Sequence, residues 1–202
     1  MKILINYANQ RFERARRLNS WSGRHIAHFD RVCAFGPDDV DPDFRRAHAE
    51  IFAYERGNGL WLWKPYFICK VIDECSDGDY IFYLDSGAFF MRDPSPLYAL
   101  VTDDNPIFVT DNPLLESCWT KPSCFDRMDA HAFRDTNQIQ ATYILFKVNG
   151  YTRAFFRRYL DAEEARGLFW EIRFPEILPG RSKTPPMTSF LSGINLWIIV
   201  KL

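Results

Sequence analysis

The sequence predicts an α/β sandwich with a mostly parallel central sheet and helices on both faces. Three observations carry this prediction. Short apolar runs alternate with stretches of helical periodicity along most of the chain. The run Asp79-Tyr80-Ile81-Phe82-Tyr83-Leu84 is almost wholly apolar and aromatic, as a strand covered on both faces requires. An acidic turn, Asp85-Ser86-Gly87, follows it at once, at the strand end where such sheets place their ligands.

The elements follow in order. Lys2 to Tyr7 reads as a buried first strand, Phe12 to His25 as a basic helix and Arg31 to Phe35 as a second strand, closed by the turn Gly36-Pro37-Asp38-Asp39. Pro42 to Tyr54 carries Phe44, Ala47, Ile51 and Phe52 at helical spacing and stops at Arg56-Gly57-Asn58-Gly59. Pro65 suits a first helical turn, where its missing N–H is not needed, so a helix is expected from Pro65 to Glu74. After the central strand, Pro106 to Thr110 is a strand and Lys121 to Met128 a short helix. Ala141 to Lys147 is a strand behind the polar Asn137-Gln138-Ile139-Gln140, and Tyr151 to Arg166 an amphipathic helix. Repeated prolines beyond Phe174 divide the chain into a domain at 1–174 and an irregular segment at 175–202.

Composition narrows the function. With 202 residues, 47% of them hydrophobic, the chain can bury a sizeable core, and a net charge of −1 offers no electrostatic footprint for nucleic acid. Five scattered cysteines without a CxxC pair argue against a disulfide framework or structural zinc, and for a reducing, cytoplasmic compartment. The opening apolar run is too short for a signal peptide, and no run of about 18 apolar residues exists to span a membrane. The dispersed His25, His28, His48 and His131 read as solvated surface.

Two segments are candidates for chemistry. At the first, Asp85 can hold a divalent metal while Gly87 lets a diphosphate approach the backbone; the same residues also make an ordinary turn cap. At the second, Arg56-Gly57-Asn58-Gly59-Leu60-Trp61-Leu62-Trp63-Lys64-Pro65-Tyr66, glycines, aromatics and cations crowd a helix entrance. Lys64 there can neutralise a phosphate, or be a solvated charge beside two core tryptophans.

Taken together, the second segment, Gly78-Asp79-Tyr80 and Tyr83-Leu84-Asp85-Ser86-Gly87 resemble bacterial GT-A-type glycosyltransferases of capsule and surface-polysaccharide clusters. Those relatives pair a Gly-x-Gly-x-Trp-x-Trp-Lys-Pro stretch with a Tyr-x-Asp-x-Gly turn, and the likeness covers roughly residues 2 to 174. It implies a Rossmann-like GT-A sandwich that moves a sugar from a nucleotide-diphosphate donor to a polysaccharide or lipid-linked acceptor. Asp85 becomes the metal or ribose-diphosphate contact, Lys64 a phosphate contact, and Gln138 or Gln140 a sugar-hydroxyl contact; Gly59, Trp61 and Gly87 complete the donor set. The arginine-rich stretches Arg11 to Arg17 and Arg153 to Arg158 allow peripheral contact with the inner membrane face.

Two departures from that pattern matter. Many enzymes of this fold use Asp-x-Asp, whereas Gly87 stands at the second position, so a Mn²⁺ or Mg²⁺ cofactor on Asp85 would need another ligand, for which Asp111 and Asp126 are the candidates. Where relatives carry an acidic-amide motif near the sugar, this chain has Pro186-Met187-Thr188-Ser189. The codons CCN-ATG-ACN-AGY, read one base back, allow Asp-Asp-Gln, and the coding DNA decides whether a shifted frame explains this segment. Two other functions compete: a nucleotide-sugar-binding remnant without full activity, and a metal-dependent phosphohydrolase built on Asp85.

Overall fold

The computed structural model describes residues 1–120, 122–127 and 129–164. The expected segment at 175–202 and its motif therefore lie outside the described residues. Five strands, β1 (Lys2–Tyr7), β2 (Arg31–Phe35), β3 (Tyr80–Leu84), β4 (Ile107–Leu115) and β5 (Asn137–Lys147), form one sheet in the order β2-β1-β3-β5-β4. β1 pairs in parallel with β2 and β3, while β5 is antiparallel to both β3 and β4. Four strands therefore run one way and β5 the other, the mostly parallel sheet that the strand–helix alternation predicts.

The sheet is covered on both faces because its central strands are apolar on both. Along β1, Ile3, Leu4 and Ile5 are fully buried; Ile3 and Ile5 join one core cluster and Leu4 the other. The first cluster lies under α2 (Pro42–Ala47), α3 (Ala49–Phe52), α5 (Trp63–Asp73) and α8 (Gly150–Glu164), with Phe67, Ile68, Phe155 and Phe156 buried between helices and sheet. Burial of each such side chain contributes about 1.5–3 kcal/mol. On the other face α1 (Glu13–His25) and α6 (Ser95–Tyr98) accompany the cluster of Leu4, Phe29, Phe82, Phe90 and Leu97. The other helices are the single turn α4 (Gly57–Leu60) and the short α7 (Pro122–Arg127), beside four 3-10 turns among the described residues. Among the described residues no helix is long and apolar enough to cross a membrane.

Three differences from expectation have local causes. The helix expected over 42–54 is two helices, broken where His48 leaves helical geometry at φ −116° and ψ 30°. The helix expected at Pro65 begins two residues earlier, at Trp63. β5 begins at Asn137, so the polar Asn137-Gln138-Ile139-Gln140 stretch is part of the strand. Beyond Leu84 there is no β3 to pair with, and this first part of β5 pairs with β4 alone, which relaxes the demand for apolar side chains.

Candidate functional site

The carboxyl ends of β1 and β3 meet the entrance of α5, and this edge gathers the polar side chains that the core excludes. Asp85 follows β3 directly; its N–H donates to the Thr142 carbonyl at 2.8 Å and its own carbonyl accepts from Ala88 N–H at 3.0 Å, closing the turn. One carboxylate oxygen, Oδ1, accepts the Tyr83 hydroxyl and lies 3.3 Å from Lys64 Nζ. Burial, with the adjacent carboxylate, pushes the Tyr83 phenol well above its ordinary range, so it stays a proton donor. Lys64, in the first turn of α5, also donates to the Ala141 carbonyl at 3.1 Å and sits 4.7 Å from the centre of the Tyr83 ring. Its side chain is 7% exposed, against 41% for Asp85. Lys64 is thus a buried, fixed cation and not a solvated charge.

A β-bulge aims the carbonyls at this pair. Along β4, Phe108 and Thr110 are two residues apart, while their partners on β5, Leu145 and Gln140, are five apart. The surplus residues include Ala141 and Thr142, whose carbonyls meet Lys64 and Asp85. On the opposite side, a buried amide from α1 fastens the acidic turn: Asn19 Nδ2 donates to the carbonyls of Asp85 (3.2 Å) and Ala88 (2.8 Å). Asn19 is itself held by Asn6, which donates to its Oδ1 at 2.7 Å, and Ser22 Oγ accepts the Phe90 N–H at 3.0 Å.

The Gly-Asn-Gly segment has an uncommon backbone. Five consecutive residues, Gly57, Asn58, Gly59, Leu60 and Trp61, have φ of 63°, 54°, 91°, 51° and 63°. With Leu60 N–H bonded to the Arg56 carbonyl and Trp61 N–H to that of Gly57, this is a left-handed helical turn. Each of the three non-glycine residues stores about 1–3 kcal/mol of strain. The glycines are sterically required as well: a Cβ on Gly59 would lie 2.7 Å from Phe52 Cδ1. Local bonds offset the cost. Trp63 Nε1 donates to the Gly57 carbonyl at 2.8 Å, Asn58 Nδ2 donates to the Tyr7 hydroxyl, and the Tyr7 and Trp63 rings stack with centroids 3.8 Å apart. Burial raises the Tyr7 phenol to about 12. The tryptophans separate here: Trp63 is core, whereas Trp61 is 38% exposed on the rim.

The other expected donor residues spread along the same edge. Gly87 faces open space where a Cβ would stand. Gln140 accepts a weak bond from Thr110 at 3.4 Å. Gln138 is buried, its Oε1 accepting from Asn112 at 3.2 Å and its Nε2 without a partner among the described residues. The two companion ligands expected for a metal are engaged elsewhere: Asp111 accepts from Asn137, and Asp126 lies 2.9 Å from His131. Among the described residues no group of three His, Cys, Asp or Glu side chains converges as a metal site.

Glu163 is the residue that sequence reasoning missed. It is 5% exposed near the end of α8, and its Oε2 has no hydrogen-bond partner among the described residues. α8 packs antiparallel on α5: Arg157 meets Asp73, Cys69 Sγ donates to the Phe156 carbonyl, and His48 approaches Glu164, which brings Glu163 toward the Lys64 end. Burial raises its carboxyl to about 8, and only the field of Lys64 opposes the rise. The same turn of α8 brings Tyr159 within electrostatic reach of Tyr83.

The sequence matches no protein-family model and no curated protein. Among solved structures the fold is similar to that of the apo WbbM bifunctional glycosyltransferase, with TM-score 0.52 and 10% identity over 82% of this chain. The chain spans 35% of the length of that protein. Mouse xyloside xylosyltransferase 1 aligns with TM-score 0.45 and 9% identity over 85% of this chain and 79% of its own. The galactosyltransferase LgtC, in complex with donor and acceptor sugar analogs, aligns with TM-score 0.44 and 16% identity, over 84% and 71%. The fold is GT-A-like.

Proposed function

We propose that this chain binds a nucleotide-diphosphate sugar at the carboxyl ends of β1 and β3 and transfers the sugar to a hydroxyl of a polysaccharide or lipid-linked acceptor. The observation that carries the reading is the ion pair of buried Lys64 with half-exposed Asp85, fixed at the carboxyl edge of a GT-A-like sheet by a β-bulge and a left-handed turn. A site held on such supports offers charge where a diphosphate accumulates it.

In the transfer, the bond from the sugar's anomeric carbon to the diphosphate oxygen breaks and a bond to the acceptor oxygen forms. The nucleoside diphosphate departs as an anion, and the acceptor hydroxyl gives up its proton to the departing diphosphate or to water. Lys64 meets the departing charge, and Asp85, held by Tyr83 and Asn19, orients the ammonium. Exposed Arg11 and Phe12 in the turn before α1, and Arg14, Arg17 and Arg24 interleaved on α1 with Leu18 and Trp21, support peripheral contact with an anionic inner membrane face for a lipid-linked acceptor.

A thermal-shift screen across nucleoside diphosphates and their sugars, followed by a product assay on the best binder, tests the reading. One nucleotide class is expected to raise the melting point, and the matching nucleotide sugar to yield free sugar or glycosylated acceptor. Absence of any shift together with phosphatase activity on simple esters would replace the reading with a hydrolase.

A further inference from the structure

The resemblance implies a divalent ion on Asp85, and the side chains present do not suit one. A hard divalent cation takes about six oxygen ligands and gathers them from carboxylates, phosphates and water. Asp85 brings one carboxylate, whose Oδ1 already receives the Tyr83 hydroxyl and the Lys64 ammonium. Gly87 stands where a second carboxylate would, and Asp111 and Asp126 are committed to Asn137 and His131. An ion on Asp85 would share that carboxylate with an ammonium buried a few ångströms away, and the two positive charges would repel in a poorly screened site.

Lys64 has what the missing ion would supply. Its charge is buried and positioned by three groups from two neighbouring strands: the Asp85 carboxylate just after β3, the face of Tyr83 on β3, and the Ala141 carbonyl at the bulge of β5. Its partner Asp85 is still substantially exposed, so the pair opens toward the edge where the ligand arrives. The neighbouring carboxyl, Glu163, does not cancel the ammonium at neutral pH, because burial keeps it protonated. We propose that Lys64 takes the place of the divalent cation, so that a nucleoside diphosphate binds this site without metal. The proposal rests on the donor-site reading above.

Calorimetric titration of uridine, guanosine, cytidine, adenosine and thymidine diphosphates into the whole chain, in EDTA and again in Mn²⁺, tests it. The nucleotide that binds is expected to keep its affinity within about threefold when metal is removed. Electron paramagnetic resonance is expected to show Mn²⁺ remaining free in the presence of protein and nucleotide. Lys64→Met lowers the metal-free affinity about 10- to 100-fold, the worth of a charge-assisted bond, and Lys64→Arg recovers most of it. If Lys64→Met loses its cooperative thermal transition, Lys64→Arg and the wild-type comparison decide. Binding that appears only with Mn²⁺, with one ion held per chain, overturns this inference and leaves the donor site standing. No binding under either condition overturns both.

Discussion

Two lysine–aspartate pairs mark opposite ends of the central strands. At the amino end of β3, Lys147 closes β5 and lies 2.7 Å from Asp103, whose side chain is 79% exposed. At the carboxyl end, Lys64 lies 3.3 Å from Asp85 with its own side chain 7% exposed. The closer pair is the less consequential, because water screens it, while the wider one cannot be separated without stranding a buried charge. Their surroundings differ in the same sense. Around the amino end the charges and backbone groups are paired: the terminal amine meets Asp79 at 2.8 Å, and Arg153 donates to the carbonyls of Ile72 and Cys75 and to Asp77. Its buried side-chain atoms without a partner among the described residues are the Tyr98 and Tyr151 hydroxyls. At the carboxyl end Asn6 Oδ1, Asn9 Oδ1, Gln138 Nε2 and Glu163 Oε2 all lack a partner among the described residues. Buried amide and carboxyl atoms left open in this way are costly unless a ligand completes them.

Glu163 gives the largest expected departure between the two ends. Its carboxyl rises from an ordinary 4.5 to about 8 on folding, so the folded state holds a proton that the unfolded chain has released. The associated stability is fully present below pH 4.5 and is lost as pH rises through about 8, with no further loss above. Glu163→Gln removes the titration. The stability difference between wild type and variant, from urea unfolding at about pH 5, 7 and 9, is expected to move by about 3–5 kcal/mol in the variant's favour across that window. Parallel pH curves would show that Glu163 is solvated.

The lysine pairs themselves come next. Asp85→Ala leaves the Lys64 ammonium without its carboxylate, held by the Ala141 carbonyl and the Tyr83 ring, and the Tyr83 hydroxyl without its acceptor, at an expected cost of about 2–4 kcal/mol. Asp103→Ala, at the closer pair, is expected to leave the unfolding midpoint unmoved. Equal losses at both ends would mean that Lys64 is as well solvated as Lys147.

Much of the fold was legible because short apolar runs alternate with helical stretches, and the central parallel strands, buried on both faces, must be apolar. Lys2–Tyr7 and Arg31–Phe35 come out of the sequence with the bounds the structure has. The break at His48 was hidden because Phe44, Ile51 and Phe52 keep helical spacing across it. The site was legible in its acidic turn and its Trp-Lys-Pro segment, and illegible in what supports them. Asn19, Ser22 and Glu163 are polar residues on helices, where polarity ordinarily signals a solvated face, and each is buried. Lys64 was a candidate from the sequence, but its burial was not legible: a lysine is seldom buried, and the bulge at Ala141 shows why this one is. The left-handed turn was half visible. Glycine and asparagine announce positive φ, but Leu60 and Trp61 give no such sign, and the packing of Trp63 on Tyr7 and Phe52 on Gly59 imposes it.

Two glycines offer the finest version of the comparison, because they share a positive φ and differ in what surrounds it. Gly59 at the carboxyl end has φ +91° and Gly78 at the amino end φ +94°. Alanine at either pays the same conformational penalty, about 1 kcal/mol. A Cβ on Gly78 meets nothing within 4 Å, whereas one on Gly59 meets Phe52 Cδ1 at 2.7 Å and Phe52 Cα at 3.2 Å. The ring atom can swing aside and the backbone atom cannot move without shifting α3, so Gly59→Ala is expected to cost about 2–3 kcal/mol in all. The shift would pass along Gly57 to Trp63 and displace Lys64, which follows in the first turn of α5. Gly59→Ala is therefore expected to weaken nucleoside diphosphate binding as well as stability, and Gly78→Ala to lower stability alone. Unfolding and calorimetry on the same two variants separate these effects. If both glycines behave alike in binding, the left-handed turn is only a connection and does not position the cation.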